Sequence, residues 1–449
     1  MKFVLSKDQE NAIKKFKRFI EGSKTSFNLS GKGGVGKSFI TKILVEYVEK
    51  LGMEYVLCAP THKAKTVLEK STEREAVTLH SLLALSPNVE IFKLDYKNLL
   101  FKCNTDRDTM PINGVIFIDE CSMVNDELYK LIMDKCKKYH NKLVTIGDVK
   151  QICPVNAHDI SKAFDCQVKA ELTTIHRQKE DSPLLYFFDE LRECYKTSFQ
   201  DIEGENGSLK VFNNVTNFIN TAIPLYKDAI DNGNPEFVKI CCYTNNRVAA
   251  YNKCIRTVLF KDSNEEYNVN ELLTCYESMS SNGFKLYNSM DYIIRDVKPK
   301  HINIPTLGVF PGYILTLKTI NDKIGFPFPI LSNKISENDF RSIAYAIESV
   351  RIKALEAKGR VNKGKLWKTY FNMMEAFASP IDLVFDGRVI KKKTFDYGYA
   401  ISSHRAQGSS YDNVFIDMKD ISICRNLEER RQLQYVASSR TRKDLFILQ

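Results

Sequence analysis

The chain has 449 residues, 43% of them hydrophobic, so it can bury a large core, and its length predicts roughly two to four domains. Lysine and arginine outnumber aspartate and glutamate by 65 to 55, and the net charge of +10 favours a polyanionic partner without identifying one. No apolar run approaches the ~20 residues of a membrane-spanning helix, and the N-terminal apolar stretch is too short for a signal peptide. We therefore expect no membrane association.

The cysteines form no C-x-x-C pair and have no histidine spacing that suits zinc. Several lie inside apolar runs, as Cys58, Cys241 and Cys242 do, where cysteine behaves as a small hydrophobe. Free thiols of this kind are typical of a reducing compartment, so we expect a cytoplasmic protein.

Short apolar runs alternate with amphipathic stretches through the first part of the chain. Each run ends in polar or glycine-rich residues, and the runs are residues 27–29, 55–59, 115–118 and 143–146. Continuous apolar runs are typical of strands buried on both faces, and helical patterns between them indicate parallel crossovers. Residues 38–51 predict one such helix, which ends before Gly52. The pattern predicts a doubly wound α/β domain.

Residues 84–112 interrupt this alternation and are too many for an ordinary connection. We expect an inserted subdomain there, within a first domain that spans residues 1–168. A second α/β pattern then begins, and its strand candidates are residues 237–243, 414–417 and 444–448. We assign residues 169–275 and 397–449 to this second domain.

Residues 276–396 follow a different pattern from the two α/β domains. Short strand-like runs, such as residues 292–294 and 313–317, surround a helical stretch at about 337–378. We interpret the segment as a small β-barrel with a helical protrusion, inserted into the second domain. The chain shows no internal repeat and no low-complexity tail.

Residues 31–38 form the pattern G-x-x-x-x-G-K-S between a predicted strand and a predicted helix. Glycines let backbone N–H groups turn toward phosphate oxygens, and the helix N-terminus adds positive potential. We expect Lys37 to reach the β and γ phosphates and Ser38 to bind Mg²⁺. A turn that only caps a helix requires neither residue. The loop therefore predicts an ATP site formed by Gly31, Gly33, Gly34, Val35, Gly36, Lys37 and Ser38.

Two carboxylates follow the predicted strand 115–118, at the carboxyl edge where doubly wound sheets bind ligands. We expect Asp119 to hold the Mg²⁺ ion and Glu120 to act as the general base toward the attacking water. Gln151 follows the next strand and is a candidate sensor of the γ-phosphate or of that water. A solvated acid pair and a surface turn at Gln151 are the alternative interpretations.

Phosphoryl transfer also requires arginine, because an arginine finger stabilises charge that develops on the phosphoryl oxygens. Two candidates are Arg177, in the segment 172–178, and Arg440, in the segment 435–442. A structural ion pair is the alternative for each, and spacing alone does not decide between the two roles.

Taken in order, these segments resemble those of the superfamily 1 DNA helicases, and within them the branch of the phage Dda-like and RecD-like enzymes. The similarity extends along essentially the whole chain, including residues 364–367 inside the inserted domain. The other segments that carry it are Gln9, Arg177 and residues 59–65, 77–83, 119–120, 147–155, 403–409 and 436–442. Membership implies two RecA-like domains with ATP in the cleft between them, and a host cytoplasm if a phage encodes the chain.

The resemblance also implies roles for residues of the ATP site. Gln9 matches the position that recognises adenine, for which an amide has the paired donor and acceptor. Arg177 and Arg440 match the γ-phosphate arginines that the second domain supplies, so that domain closure completes the site. Lys32 is a departure, since many relatives carry a small residue there.

Further positions match those that contact DNA in the family. On the first domain they are Pro60, Thr61, His62, Thr78 and His80, and on the second they are Thr244, Asn245, His404, Gln407 and Ser409. Small hydroxyl and amide groups suit phosphate and sugar contacts, which position a strand without reading its sequence. For the three histidines, a capping or core role is the alternative.

In the family, an insert such as residues 84–112 is a pin hairpin that splits the duplex, and a barrel such as residues 276–396 is an SH3-like domain that braces it. An aromatic side chain at the pin tip would stack on a base, and the candidates are Phe92, Tyr96 and Phe101. Core packing of these rings is the alternative.

The resemblance implies an ATP-dependent helicase that moves 5′ to 3′ on single-stranded DNA and opens forked DNA. We expect a monomer, with single-strand-binding, replication or recombination proteins as the partners to consider. One alternative is a DNA-stimulated translocase that remodels protein–DNA complexes without useful unwinding. Another is an inactive subunit of a recombination complex, although such a subunit would not need Lys37, Glu120 or Arg440.

Overall fold

The computed structural model describes residues 5–87, 101–103, 110–153, 160–174, 183–261, 263–358 and 360–449. Two parallel sheets and one antiparallel sheet carry most of the described strands. The parallel sheet up to residue 174 defines the first α/β unit, the other parallel sheet defines the second, and the antiparallel sheet defines the antiparallel unit. Within the described residues, no helix is both long and apolar enough to span a bilayer.

Strands and helices alternate along the first unit. Its strands are β1 (Ser26–Gly31), β2 (Tyr55–Ala59), β3 (Ala76–Thr78), β4 (Leu85–Pro87), β5 (Phe101–Cys103), β6 (Val115–Ile118), β7 (Lys142–Gly147) and β8 (Val168–Leu172). Its helices are α1 (Lys7–Glu21), α2 (Lys37–Lys50), α3 (His62–Thr72), α4 (Leu79–Leu82) and α5 (Asp126–Lys138). The parallel sheet has the order β3-β2-β6-β7-β1-β8, and β4 pairs antiparallel with β5.

The strands that the apolar runs predict are all present. Every residue of β6 is buried, and separate hydrophobic clusters pack on the two faces of the sheet. On one face α2 contributes Ile40, Leu44 and Val48, at the spacing of one side of a helix. The doubly wound α/β architecture is therefore confirmed for the first unit.

The predicted boundary after residue 168 needs correction. Strand β8 pairs in parallel with β1, from Phe27 opposite Val168 to Gly31 opposite Leu172. The first unit therefore extends at least to Leu172. The sequence signal was weak because β8 is an edge strand, in which only Ala170 and Leu172 are buried.

The described part of the insert is a short ladder in which Leu85 lies opposite Cys103 and Pro87 opposite Phe101. Residues 88–100 and 104–109 lie outside the described residues, as do Phe92, Tyr96 and the side chain of Phe101. The pin, and the aromatic residue at its tip, therefore stay predictions.

The remaining elements form the second unit and the antiparallel unit. The strands are β9 (Ser208–Phe212), β10 (Val238–Cys242), β11 (Leu272–Cys275), β12 (Met279–Ser281), β13 (Phe284–Leu286), β14 (Asp291–Ile304), β15 (Gly308–Lys318), β16 (Phe326–Leu331), β17 (Leu383–Phe385), β18 (Arg388–Lys391), β19 (Phe395–Tyr397), β20 (Ala400–Ser402), β21 (Tyr411–Asp417) and β22 (Thr441–Leu448). The helices are α6 (Pro183–Glu193), α7 (Val215–Asp231), α8 (Asn245–Leu259), α9 (Glu337–Glu356), α10 (Arg360–Glu375), α11 (Ser403–Ala406), α12 (Met418–Ile421) and α13 (Leu427–Ser438).

The second unit has a parallel sheet of order β20-β10-β21-β22-β9, which contains the strands predicted near residues 237–243, 414–417 and 444–448. Hydrophobic clusters pack on its two faces. Cys241 and Cys242 are buried free thiols, one in each of these clusters. The second unit thus repeats the layered arrangement of the first.

The antiparallel unit has the strand order β16-β15-β14-β11-β19. It extends past the predicted limits of 276 and 396, because β11 pairs with both β14 and β19. The predicted helical stretch is two helices, α9 and α10, with a break near residue 358. Helix α9 follows the N-cap Ser336. Its residues Phe340, Ile343 and Ile347 pack into a hydrophobic core of this unit. The SH3-like barrel stays a prediction.

Candidate nucleotide site and nucleic-acid interface

A cavity of about 510 Å³ lies between the two α/β units. The first unit supplies the ends of β1, β6 and β7, and the second supplies the loop before β21 and the end of α13. Most of the predicted ATP residues meet here, and the lining includes Gln9, Gly33, Gly34, Gly36, Lys37, Ser38, Asp119, Glu120, Gln151 and Arg440. The carboxyl edges of the strands thus converge as predicted.

Glycine is required along the phosphate loop. Gly36 is the N-cap of α2 and has a φ of 84°, in the left-handed region that favours glycine. A Cβ atom on Gly31 would lie 2.7 Å from the carbonyl oxygen of Leu172, so β8 also requires glycine there. The loop backbone therefore curls over the N-terminus of α2, as phosphate binding requires.

Side chains hold the loop from both sides. The Lys37 ammonium donates to the carbonyl oxygens of Gly31 and Lys32, at 2.7 and 2.9 Å. Gln9 donates to the carbonyl of Val35 at 3.2 Å, and its own oxygen accepts from the backbone of Ser6. Val35 itself is buried in the core, so it contributes backbone rather than side chain to the site. The predicted adenine contact of Gln9 stays a prediction.

Asp119 and Glu120 occupy the edge of the cavity. Burial and the neighbouring Glu120 carboxylate raise the pKa of Asp119 to about 7. Glu120 has a φ of 50°, a left-handed conformation that costs a residue other than glycine about 1–3 kcal/mol and is enriched at functional sites. This backbone conformation sets the direction in which the Glu120 side chain leaves the end of β6.

A magnesium ion suits this arrangement of ligands. Ser38 and Asp119 line the same cavity, and a buried carboxylate gains from a nearby cation. The described residues contain no cluster of three or more His, Cys, Asp or Glu that would enclose a metal. Mg²⁺ is commonly held by one or two protein oxygens together with phosphates and water, so Ser38 and Asp119 fit it.

Arg440 reaches the cavity from the second unit. It is buried, and its guanidinium donates to the carbonyl oxygens of Val436 and Ser409 and to the hydroxyl of Ser439. These contacts fix the head group at the cleft. Arg177, the other predicted finger, lies outside the described residues.

Two residues predicted to contact DNA lie at this cleft instead of on an open surface. The side-chain nitrogen of Gln407 donates to Gln151 at 3.1 Å and to Ser122 at 3.0 Å, and Gln407 is buried. Ser409 lines the nucleotide cavity, and its hydroxyl has no hydrogen-bond partner among the described residues. Both residues therefore lie beside the nucleotide cleft, and the DNA contact predicted for each stays a prediction.

Sequence reasoning missed a second link across the cleft. The fully buried Asp148 accepts a hydrogen bond from the Tyr435 hydroxyl at 2.7 Å and pairs with Arg192 at 3.2 Å. Tyr435 also accepts from the backbone nitrogen of Gly33 in the phosphate loop, at 3.4 Å. In addition, Lys32 pairs with Asp189 of α6 at 2.5 Å. The departure at Lys32 therefore ties the loop to the second unit.

On the first unit, the predicted DNA residues lie at the ends of β2 and β3. Thr61 and Thr78 are the N-caps of α3 and α4, and each side chain accepts from a backbone nitrogen. Pro60 is partly exposed beside Thr61. Burial lowers the pKa of His80. The two threonines thus have a capping role that was not predicted for them, and a capping hydroxyl can still donate to a phosphate.

The His62 ring packs against Tyr287 of the antiparallel unit, with ring centres 4.1 Å apart and ring planes tilted by 32°. Burial, followed by Lys65 and Lys285, lowers the pKa of His62 to about 4. The imidazole is therefore neutral at physiological pH. Tyr287 was not predicted, because it lies far from His62 in the sequence and no local pattern links the two residues.

On the second unit, Thr244 is the N-cap of α8 and donates to Asp420 at 2.8 Å, while Asn245 is exposed beside it. His404 contacts Glu429 at 3.4 Å, and burial lowers its pKa despite that carboxylate. Thr244, Asn245 and His404 lie at the carboxyl ends of β10 and β20, which are adjacent strands. These residues follow the strands of the second sheet at its carboxyl edge, as Thr61 follows β2 at the carboxyl edge of the first sheet.

Comparisons with known proteins match both units. A family model described as an AAA domain matches residues 4–211, and one described as the UvrD-like helicase C-terminal domain matches residues 397–448. The ATP-dependent DNA helicase dda of Enterobacteria phage T4 is 25% identical over 98% of each chain. The ATP-dependent RecD2 DNA helicase of Deinococcus radiodurans is 30% identical over 35% of this chain and 20% of its own.

Solved structures show the same fold. The Pif1 helicase from Candida albicans aligns with a TM-score of 0.50 and 17% identity, over 99% of this chain and 94% of that one. The Pif1 helicase from Bacteroides, in complex with ADP-AlF3 and single-stranded DNA, aligns with a TM-score of 0.51 and 15% identity, over 99% of this chain and 92% of that one. The predicted RecA-like α/β fold is therefore confirmed.

Proposed function

Since this chain is a superfamily 1 DNA helicase that hydrolyses ATP, we propose that it translocates 5′ to 3′ along single-stranded DNA and unwinds the duplex ahead of it. The observation that carries the proposal is the composite cavity, in which the phosphate loop of one unit faces Arg440 of the other. Closing and opening such a cleft moves the two units relative to each other. That movement advances a strand bound across both.

Each residue of the cavity is proposed to have a separate role in ATP hydrolysis. Lys37 and the loop backbone bind the β and γ phosphates, Ser38 and Asp119 bind Mg²⁺, and Glu120 orients and deprotonates the attacking water. Arg440 stabilises the charge that develops on the γ-phosphoryl oxygens. Because it comes from the second unit, hydrolysis depends on a closed cleft.

The DNA strand is proposed to follow the carboxyl edges of both sheets. On the first unit it passes Pro60, Thr61 and His62, and on the second it passes Asn245 and His404. Hydroxyl, amide and backbone groups dominate these edges, which suits sequence-independent contact with phosphates and sugars. The protein acts as a monomer on single-stranded and forked DNA, in the cytoplasm that contains that DNA.

Comparing tailed duplexes tests this function directly. Purified protein should unwind a duplex with a 5′ single-stranded tail when ATP and Mg²⁺ are present, and leave a 3′-tailed duplex of the same sequence intact. Omission of ATP controls for passive melting. Opening of only the 3′-tailed substrate would overturn the polarity, and ATP-independent opening would overturn the motor mechanism.

The alternative is a DNA-stimulated translocase that displaces bound proteins without useful unwinding. The insert at residues 84–112 favours unwinding, because its described base is an antiparallel ladder of the kind that a pin requires. Shortening the segment between β4 and β5 should abolish unwinding and spare DNA-stimulated ATP hydrolysis. Equal loss of both activities would remove the support for a pin.

A further inference from the structure

A buried group of charges lies where the two α/β units and the antiparallel unit meet. Lys63 comes from α3 of the first unit, Lys239 from β10 of the second, and Asp291 from the first residue of β14. Their side chains are 10%, 0% and 6% exposed. Charges are rarely buried this deeply without partners, so the contacts among them determine how the units join.

Asp291 is the centre of the group. Its carboxylate accepts from Lys63 at 3.1 Å, from Lys239 at 3.2 Å and from the Thr274 hydroxyl at 2.6 Å. Burial alone would raise the pKa of Asp291, but the two ammonium groups lower it to about 2. Lys63 also contacts the hydroxyl of Tyr411 at 3.1 Å. The carboxylate is therefore ionised and fully bonded.

The two lysines are not equivalent. Lys239 and Thr274 belong to the same side of the junction as Asp291, whereas Lys63 belongs to the first unit. Removal of one partner of a buried ion pair usually costs about 3–5 kcal/mol, because a charge is left uncompensated. Here Asp291 keeps Lys239 and Thr274 when Lys63 withdraws, so the carboxylate is not left uncompensated. The Lys63–Asp291 contact therefore costs less to break than an isolated buried ion pair.

The junction borders the nucleotide cleft. A neighbouring cavity of about 300 Å³ is lined by Lys63 and Asp291 and by residues 408–410, which also line the nucleotide cavity. A Cβ atom on Gly408 would lie 3.5 Å from that of Ala64, so this loop packs directly against α3. Any change in cleft closure therefore moves α3 relative to the loop.

We infer that the Lys63–Asp291 contact is a releasable latch, through which the state of the nucleotide cleft changes the position of the DNA-binding segment that begins at Pro60. Lys63 is a positioning residue in this scheme. It follows Thr61 and His62 directly at the start of α3, so a movement of α3 that breaks the contact with Asp291 moves them as well. The inference rests on the proposed function, since it assigns a regulation to the same motor.

The test measures how strongly nucleotide alters DNA affinity. Labelled oligothymidylate is titrated with the full-length protein, with and without Mg²⁺ and a non-hydrolysable ATP analogue, and the ratio of the two Kd values is the coupling. In Lys63→Met, the ratio of the two Kd values should move toward one by a factor of about five or more, which is within the usual range of allosteric couplings. Lys63→Arg should restore part of it.

Lys239→Met is the matched control with the opposite effect. It leaves Lys63 as the only cation on Asp291, so withdrawal becomes costly and the coupling should equal or exceed that of the wild type. If this variant does not fold, the Lys63→Met result alone decides, because Asp291 retains its other partners there.

Two outcomes would overturn the latch. One is a Lys63→Met coupling within about twofold of the wild type, well below the effect expected of an allosteric contact. The other is a fall of about 0.7 in the slope of log Kd against log salt, which would mark Lys63 as a DNA phosphate contact. Both are binding measurements, so a wild type that binds DNA but fails to unwind it would refute the proposed function and leave the latch standing.

Discussion

The side-chain nitrogen of Gln407 lies 3.1 Å from the side-chain oxygen of Gln151, so an amide of the second α/β unit contacts the candidate γ-phosphate sensor of the first. Both side chains are buried. A neutral hydrogen bond contributes only about 1 kcal/mol, but an unsatisfied buried partner costs about 1–3 kcal/mol. The pair therefore favours one orientation of Gln151 and one separation of the units.

Gln407→Ala should lower the kcat of DNA-stimulated ATP hydrolysis by roughly tenfold, because it leaves Gln151 and Ser122 without a partner worth about 1–3 kcal/mol. Single-stranded DNA affinity without nucleotide should change little. Asn245→Ala, at the exposed DNA edge, should show the reverse pattern. A Gln407→Ala variant with normal kcat and weakened DNA binding would restore the direct DNA contact.

Glu120→Gln should strongly lower ATP turnover and preserve nucleotide binding, because the amide is isosteric but cannot act as the base. General base catalysis contributes about 10²–10⁴-fold, so kcat should fall by that factor. Lys37→Ala provides the contrast, since it should weaken ATP binding itself. Rapid turnover by Glu120→Gln would transfer the role of base to another group.

Stability should fall in mild acid because of His62. Its folded pKa of about 4 lies below the usual value of 6.5, so the unfolded chain binds more protons between these pH values. The loss of stability due to His62 is absent above about pH 6.5 and grows as the pH falls toward 4. The free energy of unfolding, measured with urea, should therefore fall less between pH 6.5 and 5 in His62→Gln than in the wild type. Identical slopes would mean that the ring takes up a proton in the folded state.

DNA binding should weaken steeply with salt and depend little on sequence. Single strands release about 0.7 counterion per neutralised phosphate, so neutralising four phosphates predicts roughly 50-fold weaker binding at 200 mM than at 50 mM salt. Oligonucleotides of different base composition should bind within a few-fold of one another. A DNA affinity that does not change with salt concentration would contradict recognition through the DNA phosphates.

The phosphate loop and the parallel strands could be predicted because their signals are local. A continuous apolar run specifies a buried strand, and a glycine-rich turn before Lys37 specifies a phosphate site. The edge strand β8 gave no such run, since only Ala170 and Leu172 are buried. The end of the first unit was therefore misplaced.

Contacts between distant residues could not be predicted. Lys63 and Asp291 are 228 positions apart, and Asp148 and Tyr435 are 287 apart. No periodicity links such pairs, because each depends on how separate units pack. The motif around Gln407 predicted a DNA contact, and it contained no signal for the contact of its amide with Gln151.

The central claim is that both α/β units build the ATP-hydrolysing site, and Arg440 tests it most directly. ATP turnover on single-stranded DNA should fall about 10³-fold or more in Arg440→Ala, as loss of an arginine finger predicts. Binding of an ATP analogue should stay close to that of the wild type. Arg442→Ala is the matched control, because Arg442 pairs with Glu236 and Asp412 and does not line the nucleotide cavity. Wild-type turnover by Arg440→Ala would contradict a composite site.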